Sequence, residues 1–469
     1  MSLVVKHPAG RSPERQYIFD VIIGEYLGLD YVSEIEDRED VSLSAAGSGT
    51  EVCMPDIFFK TPREDWLRPQ SLAAMIVRDQ EVPDELRTCL GANIDTIPVI
   101  YGAAKGVTLM NSPDARRINL DIDIFGSAFF MLSRYEEACL SDRDSHGRFP
   151  AASAVAVKAG IIERPVVDEY VEILWACLTK LNPGLVRKSR EYRAMLSHDV
   201  DRLFDTRGLS MPAVLRNAMG DITRRRDVGL ALRRVRSGLL SGPDDYSREP
   251  CNTFEFIMDC SEHFGFRSAF YFIASQNGGG RNGDYTVDLP WVMHLIGQIH
   301  GRGHEIGLHA SYDSMEQPDL IAEELALLRA VAAGVDARQD QWGGRQHYLR
   351  WAVPATWQAW NDAGLVYDST LGFPEVPGFR CGTCFEYPVF NLQSRRKLEL
   401  RERPLIVMET SLFSSCYMGL SGRRALEKIV QLSDVCRRFG GQFTMLWHND
   451  NLVTRHQKAL YREVVDAIT

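Results

Sequence analysis

Short apolar runs that end in polar residues alternate with helical repeats over the second half of the chain. Strands are predicted at Ala194–Ser197, Ser268–Ile273, Glu305–Leu308, Leu365–Tyr367, Leu405–Glu409 and Phe443–Trp447. Between them, Trp291–Arg302 and Glu323–Ala333 repeat apolar residues at helical spacing. Such alternation is what a parallel sheet with helical crossovers requires. The first 190 residues are patterned differently. A helical pattern spans Gln16–Gly28, strand-like runs occur at Thr96–Tyr101 and Leu120–Phe125, and a helix is predicted from Ala128 to Glu137. Ser141–Arg148 is dense in turn formers and reads as a loop. The helix from Val166 to Leu181 stops at Asn182-Pro183-Gly184, because proline cannot continue a helix and glycine caps one. The pattern therefore predicts two domains, a smaller mixed α/β domain over 1–190 and an α/β unit of the barrel type over 191–469.

Composition narrows the function. A chain of 469 residues with net charge −10 can bury a large core and gives no sign of nucleic-acid binding. No run of apolar residues reaches the length of a transmembrane helix. Met1–His7 is too short an apolar run for a signal peptide, so a cytoplasmic location is expected. The ten cysteines are scattered and read as buried free thiols. The one Cys-x-x-Cys, Cys381 to Cys384, has no second pair to complete a zinc ribbon.

One stretch departs from the acidic average. Between residues 203 and 265, Arg224-Arg225-Arg226, Arg233-Arg234 and Arg236 interleave with Leu230, Leu232, Val235, Leu239 and Leu240. This reads as a basic amphipathic helix. It either packs, solvated, on the larger domain or makes weak contact with a membrane surface or an anionic lipid-linked sugar through Arg224–Arg236.

Candidate chemistry lies at two strand ends. In Leu196-Ser197-His198-Asp199-Val200-Asp201 the two aspartates are two apart and so share one face of a strand. Gly303-His304-Glu305-Ile306-Gly307-Leu308-His309 ends a second strand in a histidine. Together they make a mixed oxygen and nitrogen site suited to zinc or another divalent transition metal with an open position for water. His198 alternates away from Asp199 and is expected to be packed, and His304 to lie behind the site. Asp121-x-Asp123 is a rival pair without a histidine nearby, and reads as a strand end or helix cap.

These stretches resemble the polysaccharide deacetylase superfamily (the NodB homology fold, carbohydrate esterase family four). That family carries a Gly-His-Glu-Ile-Gly-x-His motif, matched by Gly303 to His309. In the same order, Arg345-Gln346-His347-Tyr348 resembles its Arg-Pro-Pro-Tyr segment. Ala363 to Thr370 resembles the helix-end-to-strand segment that follows, and Met445-Leu446-Trp447-His448 the last strand. The resemblance covers about residues 190 to 469. It implies a distorted (β/α) barrel and a metal-dependent hydrolase that removes an N-acetyl group from a sugar or glycoconjugate. The N-terminal region is similar to the accessory domain before some such barrels, which gives a location and no chemistry.

The resemblance also implies roles. Asp199 is the general base, and Asp201, displaced by one position, binds the metal; the two roles can be exchanged. His309 is a ligand, and His448 the general acid, oriented by Asp368 or Asp450. Arg345 orients the base, and the backbone N–H of Tyr348 helps hold the oxyanion. Where the family places a second ligand histidine this chain has Asp313, and His347 stands where the family has proline. Either completes the site, with a slight preference for Asp313. Zinc is the expected metal, with iron, manganese or cobalt favoured by a more acidic site. Two other classes remain open: hydrolysis of another amide or ester (a formamide, a cyclic amide, an O-acetyl group), and a binding protein with a degenerate metal site.

Overall fold

The computed structural model describes residues 2–75, 77–91, 94–102, 108–240, 246–275 and 280–469. Two sheets organise it. The first has strand order β2-β1-β3-β4-β8-β7, with β1 at Leu3–His7, β2 at Tyr31–Ile35, β3 at Asp40–Ala45, β4 at Glu51–Pro55, β7 at Met110–Asp114 and β8 at Arg117–Leu120. A separate pair, β5 (Arg78–Glu81) and β6 (Thr96–Val99), lies beside it in sequence. The apolar helices Ile124–Leu132 and Val166–Leu181 are buried along most of their length. Asp123 caps the first of these by accepting a hydrogen bond from Gly126 N–H, and Asp121 pairs with Arg78 at 2.6 Å, so each member of the Asp121-x-Asp123 pair has a structural partner.

The second sheet has nine strands: β9 (Arg193–Val200), β10 (Ala269–Phe272), β11 (Glu305–Ala310), β12 (Gly343–Gln346), β13 (Tyr367–Asp368), β14 (Tyr387–Asn391), β15 (Arg396–Glu402), β16 (Val407–Met408) and β17 (Gln442–Leu446). Their order is β14-β15-β13-β12-β11-β10-β9-β17-β16, and every pairing is parallel except β14 with β15. The first and last long strands, β9 and β17, are neighbours, with Leu196 opposite Met445. The sheet curls. Arg345 on β12 reaches Asp199 on β9 at 2.7 Å, across the space that β10 and β11 wrap around. Strands β14 and β16 form its two ends, and the irregular segment Arg403–Ile406 runs between them. That segment hydrogen-bonds to Asp368 and Leu371 on one side and Thr444 on the other.

The inner face of this sheet is layered. Tyr271 and Tyr367 fill the bottom, with their hydroxyls 3.0 Å apart. Gly307 and Gly343 make that layer possible: a Cβ at Gly307 would fall 2.5 Å from the Tyr271 ring, and one at Gly343 2.1 Å from the Tyr367 ring. The glycine between Glu305 and His309 is therefore a packing requirement. Alternation along β9 sends Ser197 and Asp199 inward and His198 outward, where it is fully buried against Phe270 and Tyr461 and bonds the Trp447 carbonyl. His304 also lies outside the inner face, accepting from Ser268 N–H. Both histidines thus sit as their strand positions predict.

The N-terminal region is joined to this sheet by buried polar groups. Arg380 pairs with Glu137 at 2.6 Å, Glu137 also takes Arg134 at 2.9 Å, and all three are about 98% buried or more. Burial alone would raise the Glu137 carboxyl; the two guanidinium groups outweigh it and hold the pKa low. Asp168 accepts from Thr383 Oγ1, Cys384 N–H and Cys384 Sγ, so Cys381 and Cys384 serve packing as buried free thiols. Glu137→Gln removes the shared anion; Arg134 keeps Glu136 at 3.0 Å, but buried Arg380 is left without a carboxylate. The substitution is expected to cost roughly 3–5 kcal/mol, read as a lowered urea midpoint; a loss under about 1 kcal/mol would show the triad to be dispensable.

Candidate active site

Four segments leaving the curled sheet meet at one mouth. Asp199 and Asp201 come from the end of β9, and His309 from β11. His347 follows β12, and His448 follows β17. They line a cavity of about 490 Å³ together with Arg148, Arg202, Arg281, Tyr348, Asp450 and Asn451. That size admits a small ligand.

Each candidate base or acid has its own support. Arg345, fully buried, donates to Asp199 Oδ1 at 2.7 Å, to Ser197 Oγ at 2.9 Å and to the Ser369 carbonyl at 2.8 Å. One carboxylate oxygen of Asp199 is thereby tied, and Oδ2 is left facing His309 Nε2 at 3.6 Å. His448 Nδ1 lies 2.7 Å from Glu409 Oε1, which turns Nε2 toward Asp201 Oδ2 at 3.6 Å. Burial would lower the His448 pKa, but the Glu409 carboxylate outweighs it and holds the value well above the usual imidazole range. Asn451 donates to the same Glu409 oxygen. The orienting carboxylate is thus Glu409, which corrects the expectation of Asp368 or Asp450. Asp368 instead turns away into hydrogen bonds with Thr370, and burial pushes its carboxyl up to about 7. Asp450 lines the mouth, and burial raises it to about 6.

Asp201, His309 and His347 form a group whose donor atoms lie within 4.8 Å of one another. His309 Nδ1 bonds the Arg345 carbonyl at 2.9 Å, and a carbonyl only accepts, so Nδ1 carries the proton. Its Nε2 is thereby aimed at Asp201 Oδ1, 3.2 Å away. His347 Nδ1 stands 4.0 Å from the same oxygen. Asp201 Oδ1 and His347 Nδ1 are both buried without a hydrogen-bond partner. Buried polar atoms are nearly always satisfied, so two orphans aimed at one point fit a cation between them. The charges agree. Burial raises the Asp201 carboxyl, yet His347, His309 and His448 together hold it well below the carboxylate range. Burial lowers His309, and the Asp199 and Asp201 carboxylates more than restore it. Burial drives His347 down to about 4, which keeps its ring neutral and able to ligate.

The structure brings His347 into this group and does not bring Asp313, which the sequence pattern slightly preferred. Asp313 lies on the one-turn helix Tyr312–Met315 beyond β11 and is absent from the cavity wall. The turn carries it aside because Tyr312 and Ser314 point inward instead, Ser314 bonding Gln346 at 2.8 Å.

Tyr348 has a left-handed backbone, φ 59° and ψ 14°, with its ring 42% exposed at the mouth. Its carbonyl accepts from Arg148 Nη1 at 2.8 Å. Arg148 is held in turn by Asp144, and the adjacent His146 carbonyl accepts from Arg350 at 2.7 Å. A loop of the N-terminal region thus forms part of the cavity wall, contrary to the expectation that this region offers only a location. Glu409 was within reach of sequence reasoning, since it ends the predicted strand Leu405–Glu409. Arg148 was not, because a turn-rich polar loop gives no sign of what it covers.

A model for a family of unknown function, DUF7033, matches residues 3–183. No curated protein matches the chain. Three solved structures are similar to it. One is a Mycobacterium smegmatis protein assigned as a polysaccharide deacetylase: 16% identity over 60% of this chain and 84% of that one, TM-score 0.38. Another is Puue allantoinase: 12% identity over 59% and 84%, TM-score 0.37. The carbohydrate deacetylase Agd3 matches at 10% identity over 99% and 84%, TM-score 0.32.

Proposed function

We propose that the chain is a metal-dependent hydrolase that removes an N-acetyl group from a sugar of a surface polysaccharide or glycoconjugate. One observation carries the reading: two carboxylates and three imidazoles from four segments converge on one cavity, with Arg345 fixing Asp199 and Glu409 fixing His448. Asp201, His309 and His347 would hold the ion, with zinc first and iron, manganese or cobalt as substitutes. A divalent ion there supplies Lewis acidity toward a carbonyl oxygen and lowers the pKa of water toward neutrality.

The residues divide the remaining work. Asp199 takes the proton of the attacking water on Oδ2, since Arg345 occupies its other oxygen. Tyr348 offers its backbone N–H to the oxyanion, and the left-handed turn is fixed from behind by Arg148. His448 keeps a proton on Nε2 because Glu409 stabilises the imidazolium, and delivers it to the departing nitrogen. Residues 1–190 and 191–469 act as two domains, the first lending the Arg148 loop to the site of the second.

The test is acetate release by protein loaded with zinc, manganese, cobalt or iron(II). N-acetylated sugars, O-acetylated sugars and a cyclic amide are assayed side by side. Release from the N-acetylated set alone is the expected result. Turnover confined to esters or cyclic amides would reassign the reaction, and none with any metal would leave a binding protein.

A further inference from the structure

The helical hairpin that follows β9 is built inside out. Its helices run Met211–Thr223 and Val228–Leu240. The faces they bury are mostly small or polar: Val214, Ala218 and Asp221 on the first, Ala231, Arg234 and Ser237 on the second, with Leu230 also buried, against Cys251 and Val453. Arg234 and Asp221 form a salt bridge at 2.7 Å inside this interface. Most of the other large apolar side chains of the two helices face outward. Leu215, Met219 and Ile222 are 44–59% exposed, and Val228, Leu232 and Leu239 are 55–62% exposed. Spacings of four and three on the first helix, and four and seven on the second, place each set on a single stripe. Packing among the described residues leaves about half or more of each of these side chains in solvent, and exposed apolar stripes of this kind mark an interaction surface.

The patch is strongly basic. Residues 211–240 hold seven arginines and two aspartates, in a chain of net charge −10. Asp221 is spent on Arg234 and Arg225, and Asp227 on the N–H groups of Leu230 and Arg455. Arg216, Arg224, Arg226 and Arg236 are exposed and have no ion-pair partner among the described residues. The hairpin is also fastened to the rim that carries the site. Its first helix begins ten residues after Asp201. Arg233 bonds the Val453 carbonyl at 2.6 Å, five residues beyond His448.

We propose that this hairpin docks the protein onto an anionic phospholipid surface, with the leucine stripes in the acyl boundary and the arginines among the headgroups. Charge decides between this occupant and a second copy of the chain. A two-fold contact would set each arginine cluster against its own image, where like charges oppose one another. An anionic bilayer answers both features at once, taking the apolar stripes and neutralising the unpaired guanidinium groups. Docking there is independent of the reaction proposed above.

The experiment is co-sedimentation of the full chain with vesicles of phosphatidylcholine alone or mixed with phosphatidylglycerol. Binding to the anionic vesicles is expected to be about tenfold tighter than to the neutral ones, and to weaken as salt rises. Leu215→Glu/Leu232→Glu/Leu239→Glu and, separately, Arg216→Glu/Arg224→Glu/Arg226→Glu are each expected to abolish it. Both should leave circular dichroism and Tm unchanged, because all these side chains point to solvent. If the leucine variant misfolds, the arginine variant decides. Protein that stays in the supernatant with anionic vesicles overturns the proposal. So do variants that bind like the parent chain, or a dimer in analytical ultracentrifugation that the leucine variant splits while vesicles remain unbound.

Discussion

Asp199→Asn is expected to lower kcat on an N-acetylated sugar by about 10²- to 10⁴-fold, with fold and metal content retained. The amide keeps the size of the carboxylate but cannot accept a proton from water. Arg345 then loses the carboxylate it holds at 2.7 Å, while its bonds to Ser197 and Ser369 keep it in place. His448→Ala should cost a similar factor, and should cost less on a substrate whose leaving group needs no proton. Glu409→Gln separates positioning from catalysis. Glu409 raises the His448 pKa, so removing its charge lowers that pKa. An acid that must be protonated loses activity as pH rises through its pKa, and the alkaline limb of the rate profile should therefore move to lower pH. Near-parental kcat in Asp199→Asn would displace Asp199 as the base. An unmoved alkaline limb in Glu409→Gln would remove Glu409 from the acid's support.

The second large effect concerns the metal. Purified protein should bind about one divalent ion per chain, and His309→Ala or His347→Ala should weaken binding by more than about 100-fold. Even residues that only support a ligand typically account for 10- to 100-fold. Asp313→Ala should leave affinity unchanged, because Asp313 lies off the cavity wall. Calorimetric titration with zinc on the three variants tests this. Loss in Asp313→Ala with retention in His347→Ala would move the third ligand to the turn after β11. Removing the ion should also lower Tm, since it relieves the buried, unpartnered Asp201 Oδ1 and His347 Nδ1.

Much of the candidate site is legible in the sequence. Period-two alternation fixes Asp199 and Asp201 on one face and His198 on the other, whatever the rest of the chain does. The end of an apolar run fixes His309 and His448 at strand ends. Those assignments are local, and local backbone geometry answers them. The preference between Asp313 and His347 was not of that kind. Both stand near a strand end, and which one faces the ion depends on how the chain turns after β11 and β12. Tyr312 and Ser314 take the inward positions on one turn, and a left-handed Tyr348 follows His347 on the other.

The sequence by itself determined the parallel strand–helix pattern, the aspartate pair, the strand-end histidines and the basic apolar character of residues 211–240. Tertiary structure alone decided four things. It set Glu409 behind His448, chose His347 for the cation group, brought Arg148 from the N-terminal region to the turn at Tyr348, and turned the apolar stripes of the hairpin outward. Each of these depends on contacts between segments tens to hundreds of residues apart. Periodicity reports which face of an element is apolar, but what that face meets is set only when the sheet curls and the segments pack.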